Sequence, residues 1–151
     1  TFNNQGLQMS NQAIDLFAAF ATDETKEQDG TLTQLPGCGD TQFRIAREGN
    51  KAYAKMLQKA YKANRAVLDS KGDAAEAKSD QIMVDVLAST ILLGWEGKVR
   101  YQGKDLEYSK DNARMLLKHK GFQAKVLEVA GSIETFKVVT DEEDEKNSTG
   151  G

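Results

Sequence analysis

The chain has one cysteine, Cys38, so no internal disulfide can form, and this fits a reducing cytoplasm. It has one histidine, His119, set between Lys118 and Lys120 with no second histidine or cysteine in a metal-binding spacing. That histidine reads as a solvated residue at a helix end, where a cation suits the helix dipole. No apolar run approaches the roughly 20 residues that cross a bilayer. The first residues lack the basic start and apolar stretch of a secretory signal. An excess of one charge is also missing from the body. Of 23 acidic and 20 basic residues, five acids (Asp141, Glu142, Glu143, Asp144, Glu145) and one base, Lys146, lie at the C-terminal end, leaving 18 against 19. A nearly neutral body is a poor general binder of nucleic acid, which requires several cations to neutralise phosphates.

Catalytic constellations are missing as well. Cys38 lies in Gly37-Cys38-Gly39 with no base paired to it, and that loop lacks the glycine spacing and the Lys-Ser/Thr of a phosphate loop. Asp80 and Asp85 would point about 140° apart on a helix, which suits surface charge better than an acid–base pair. These absences lead us to expect no enzyme activity, no cofactor, no metal, no membrane partner and no nucleic-acid partner.

What is present is the pattern of one mainly α (α+β) domain, the size that 151 residues allow. Ser10 to Ala21 reads as a short helix with Ser10 as N-cap, Ile14, Phe17, Ala18 and Ala21 on one face, and Leu16 and Phe20 widening it. Thr22 to Gly30 is charged and reads as a linker, so residues 1–30 form an N-terminal helix and linker. Thr31 to Leu35 and Thr41 to Ala46 alternate like half-buried strands around Pro36-Gly37-Cys38-Gly39-Asp40, which predicts a small antiparallel two-stranded element. Asn50 is the expected N-cap of a helix that carries Tyr53, Met56, Leu57, Ala60, Tyr61, Asn64, Val67 and Leu68 at helical spacing and breaks at Ser70-Lys71-Gly72. Asp73-Ala74-Ala75-Glu76 resembles a capping box, opening the central core helix that runs to Leu93 or Gly94. Val99 to Tyr108 reads as a tight hairpin or an ordered loop around Gln102-Gly103. Ser109 caps a helix that Gly121 ends, and Phe122 to Phe136 forms the last one, making four to five helices in a domain over residues 31–139. Residues 140–151 are too polar to offset the cost of ordering and are expected to be a disordered acidic tail.

The charge pattern gives the candidate binding residues. Arg44, Arg47, Lys51, Lys55, Lys59, Lys62 and Arg65 are interrupted by one acid, Glu48. The lysines step by four, four and three residues and so form one helical stripe. Two readings stand side by side: a solvated outer face, or an electrostatic surface for an acidic partner or for the chain's own acidic tail. RNA binding by the stripe is weaker, since aromatic residues do not interleave with it. Trp95, after the most apolar helix, reads either as a lid on the core or as an interface anchor.

The order of these features resembles a tail assembly chaperone family of long-tailed phages. The series begins at Phe43-Arg44-Ile45-Ala46-Arg47-Glu48-Gly49-Asn50 with Ala52-Tyr53, and continues through Leu92-Leu93-Gly94-Trp95-Glu96-Gly97 and Gly103. It closes with Tyr108-Ser109-Lys110-Asp111-Asn112-Ala113, Leu116-Leu117 and the segment from Phe122 to Phe136. It spans about residues 31 to 138. The chain departs from the family in having Leu106-Glu107-Tyr108 where relatives often place a proline, and in its Gly-Cys-Gly loop. The resemblance implies binding to a tape measure protein, help in recruiting tail tube protein, action in the host cytoplasm and absence from the mature virion. It leaves self-association open. The alternative in the same setting is a structural virion subunit, such as a neck or tail-tube accessory protein.

Overall fold

The computed structural model describes residues 13–138. It shows a mainly α fold with a small antiparallel sheet, as the sequence predicts. The expected cap Ser10 and the expected acidic tail lie outside the described residues. The first described helix, α1 (Leu16–Phe20), is shorter than expected because Asp15 caps it, its carboxylate accepting from the N–H groups of Phe17 and Ala18. The stretch read as a linker instead folds into α2 (Glu24–Asp29), capped by Asp23, which accepts from Thr25 and Lys26. Gly30 then turns the chain at φ +83°, where a Cβ would come within 2.8 Å of Arg44 Cγ.

Strands β1 (Thr31–Gln34) and β2 (Gln42–Ile45) pair antiparallel, Thr31 opposite Ile45 and Gln34 opposite Gln42. Phe43 and Ile45 are buried while Gln42 is exposed, the alternation that the sequence predicts. The sheet has a third strand, β3 (Leu92–Glu96), which pairs with the other edge of β2, setting Phe43 opposite Trp95 and Ile45 opposite Leu92.

Helix α3 (Lys51–Ala63) starts at Asn50, whose buried side chain ties three elements together. Its oxygen accepts from Tyr53 N at 2.9 Å, and its nitrogen donates to the carbonyls of Arg47 at 2.8 Å and Thr90 at 3.2 Å. A kink at Asn64 separates α3 from the short α4 (Arg65–Asp69).

The central helix is α5 (Asp73–Thr90), packed against α3, α4 and β3. Ala75, Ile82, Val84, Val86, Leu87 and Ala88 are buried, too many directions for one stripe, because neighbours cover the helix on opposite sides. The expected capping box does not form: Gly72 holds the cap position and Asp73 is the first helical residue, without a side-chain cap bond. The helix also stops short of Leu93. It ends at Thr90, whose hydroxyl donates to Val86 O at 2.7 Å, and Leu92 onward joins the sheet.

After β3, β4 (Arg100–Tyr101) and β5 (Lys104–Asp105) form a two-residue hairpin. Gln102 and Gly103 both have positive φ, +53° and +82°, the geometry of a tight hairpin turn. Helix α6 (Lys110–Leu117) is capped by Ser109 as expected and packs on α5. It ends before Gly121, which instead lies in the first turn of α7 (Lys120–Ala130). The expected last helix breaks at Gly131, and α8 (Ile133–Phe136) is a separate turn. Phe136 is fully buried, and Thr22 and Lys137 form an antiparallel bridge that joins the two ends of the described chain.

Candidate interaction surface

Of the seven bases from Arg44 to Arg65, Arg65 lies exposed at the start of α4 and the other six serve two different purposes. Arg44 and Arg47 are half-buried fasteners. The guanidinium of Arg44 donates to Gly30 O at 3.2 Å, and that of Arg47 pairs with the Glu27 carboxylate and reaches Thr22 Oγ1 at 3.5 Å. They hold α2 against the sheet and have little left to offer a partner.

Lys51, Lys55, Lys59 and Lys62 are exposed on α3, whose core-facing side is carried by Tyr53, Met56, Leu57 and Ala60. At 100° per residue the lysines centre opposite that buried side, pointing straight out from the body. The helix has no acid, so the usual mixed-sign solvated face is absent. Lys51 lies 3.8 Å from Glu24, both largely exposed, while Lys55, Lys59 and Lys62 have no ion pair among the described residues. The structure thus keeps the predicted stripe together and separates it from the two arginines.

Trp95 packs as a lid. Its ring meets Phe43 edge-on with centroids 6.0 Å apart and Tyr108 at 5.1 Å, and its Nε1 donates to Leu106 O at 3.3 Å. One edge borders a shallow depression of about 330 Å³ with Lys98, Val99 and Tyr108.

A larger cleft of about 530 Å³ runs between α5, α6 and the start of α7. Asp80 and Asp85 both border it, a grouping that their angular separation on the helix does not suggest. Each is matched by its own cation: Arg114 Nε donates to Asp85 at 3.1 Å, and Lys120 Nζ to Asp80 at 3.2 Å. His119 sits at the α6–α7 junction, exposed, with Nε2 2.6 Å from the Tyr101 hydroxyl, so it pins the β4–β5 hairpin. Cys38 is half-buried and free. Among the described residues no group of three or more His, Cys, Asp or Glu side chains could hold a metal, and no described helix is long and apolar enough to cross a membrane.

Helix α1 was missed as a surface. Ile14, Leu16, Phe17 and Phe20 are 74%, 65%, 82% and 62% exposed, the most exposed large apolar side chains among the described residues. At 100° per residue they fall within one arc of about 160°, so the sequence signals an apolar face but not whether this chain covers it.

The curated proteins and the solved structures contain no match to the chain. A family model described as YdaY prophage protein matches residues 48–147, from the start of the lysine helix through every later element into the acidic run. With well over half of its length matched, the chain belongs to the YdaY prophage protein family, a phage-derived family.

Proposed function

We propose that this chain is a tail assembly chaperone: a binding protein without catalytic activity that holds the tape measure protein soluble and helps bring tail tube subunits to it. It would act in the host cytoplasm and leave before the virion is complete. Membership in a prophage family supports the setting, and the ordered series of motifs from Phe43 to Phe136 supports the role.

The observation that carries the reading is the uncovered apolar surface of α1. A tape measure protein is a long, apolar helical client, and a short amphipathic element laid along such a helix buries surface that neither partner can leave in water. Contact of this size is easily reversed, as delivery requires. The lysine face of α3 supplies a second, electrostatic contact that orients an acidic stretch of the client without holding it permanently. Trp95 is a minor contributor, since most of its ring is committed to Phe43 and Tyr108.

The same exposed phenylalanines favour one alternative, a structural subunit in which α1 packs permanently between copies. Co-expression with the tape measure protein of the same prophage separates the two. A soluble complex, with the tape measure protein insoluble alone and this chain missing from purified particles, is the expected outcome. Stoichiometric presence in particles, with no solubilising effect, would replace the chaperone by the structural subunit.

A further inference from the structure

We infer that the open edge of β1 pairs antiparallel with the same edge of a second copy of this chain, joining two three-stranded sheets into one of six strands. This self-contact uses a surface other than α1 and does not depend on which client the chain binds.

The sheet runs β1-β2-β3, so it has two edges, and they differ. At β3 the pairing with β2 slips between Arg44 and Ile45, leaving Leu93 as a bulge, and the Trp95 indole N–H ties the strand to Leu106 O. Bulges and covering loops close an edge to other chains. Neither device protects β1. Thr31-Leu32-Thr33-Gln34 has no charge and no proline, and it pairs with β2 in unbroken register. Among the described residues no further strand or bridge lies beyond it.

The register fixes which groups are open. Ala46 N–H donates to Ile91 O on the β3 side, and Arg47 N–H donates to Glu27 O on the β1 side. Backbone groups alternate sides along a strand, so Phe43 and Ile45 turn theirs toward β1 and bond Thr33 and Thr31 opposite them. The N–H and C=O groups of Leu32 and Gln34 therefore point away from the sheet. No backbone group among the described residues takes them.

Two such edges are complementary to each other. With a two-fold axis at Thr33, Leu32 of each copy stands opposite Gln34 of the other, and each of these pairs exchanges two N–H···O=C bonds. All four open groups on each strand are then used. An axis at Leu32 would instead set Gln34 against Gly30, whose carbonyl already accepts from Arg44. Thr33 meets its own counterpart, a favourable cross-strand pair, and the uncharged edges do not repel. The strand is short, so the seam holds only four such bonds, each of modest net worth. The dimer therefore forms and dissociates with concentration.

Sedimentation of the full chain tests this: the mass should rise from 16.6 kDa toward twice that value as concentration increases. Leu32→Pro removes an outward N–H without touching the bonds to β2, and Leu32→Lys sets like charges across the seam. Both variants should stay at the monomer mass and melt as the native chain does. Oxidative linkage reads the register independently, in a Cys38→Ser background. Thr33→Cys should link two copies, because facing residues at such a position lie about 4.5 Å apart at Cα. Leu32→Cys should not, since its counterpart is offset by two residues. A chain that is monomeric at every concentration, or linkage through Leu32→Cys in place of Thr33→Cys, would overturn the inference. So would a dimer that survives both Leu32 substitutions but is lost when Phe17→Ser and Phe20→Ser are combined, which would assign the contact to α1.

Discussion

Arg47 and Glu27 show how a single residue pair decides what a basic run is for. The Glu27 side chain is only 20% exposed. Burial by itself raises its pKa, but hydrogen bonds from Arg47 and Thr22 together with the Arg47 charge outweigh burial, so the net value falls below the ordinary 4.5. A carboxyl with a depressed folded pKa adds stability above its unfolded pKa and loses it as pH falls through the folded value. Urea midpoints of the native chain should therefore drop more steeply once pH passes below 4.5. Glu27→Gln should be less stable at neutral pH and flatter across that window. Parallel pH profiles for the two would remove the pair from any account of stability. Arg47 reads from sequence as a binding residue because its partner lies in a charged stretch that has no helical pattern of its own. Only the fold reveals that its charge is spent internally.

At the scale of elements, the sequence is legible wherever one local signal acts alone. Asn50 and Ser109 have the right side chains in front of apolar periodicity, and both cap as expected. Phe43 and Ile45 alternate cleanly and form a strand. The reading fails where a long-range partner outvotes local pattern. Ile91-Leu92-Leu93 continues the helical apolar run, and short apolar runs suit helix and strand equally. The open edge of β2 decides the matter, since pairing there satisfies its backbone and sets Trp95 against Phe43. Trp95 is thus the residue that joins β3, the sheet and the Tyr108 loop. Trp95→Ala should cost about 3 kcal/mol, the low end for a tryptophan that is half-buried, while Trp95→Phe should recover most of it in urea unfolding. A loss below about 0.5 kcal/mol, the range of an ordinary surface change, would show that the lid is not part of the core.

For the whole molecule, the candidate interaction surface was half legible. Lysine spacing on α3 depends only on helical geometry, so it survives folding intact, and the stripe lies outward as the sequence implies. Helix α1 was given no role for the opposite reason: an apolar face in a sequence says that surface wants burial, not that this chain supplies it. Exposure of 82% at Phe17 and 62% at Phe20 separates the two possibilities. If water is their only neighbour in the free protein, Phe17→Ser combined with Phe20→Ser should leave the unfolding free energy within about 0.5 kcal/mol, as for other surface changes. Burying each ring against a client contributes about 1.5–3 kcal/mol, so the same pair of substitutions should weaken capture of the tape measure protein by two orders of magnitude or more. Lys59→Glu should instead alter the salt dependence of capture and reduce it only modestly, because exposed charges contribute little per pair. Thermal melts and pull-downs on the same three proteins give the answer together. A double variant that melts normally but no longer keeps its client soluble places the grip on α1. One that melts early places α1 within the fold, and one that captures normally shifts the grip to another face.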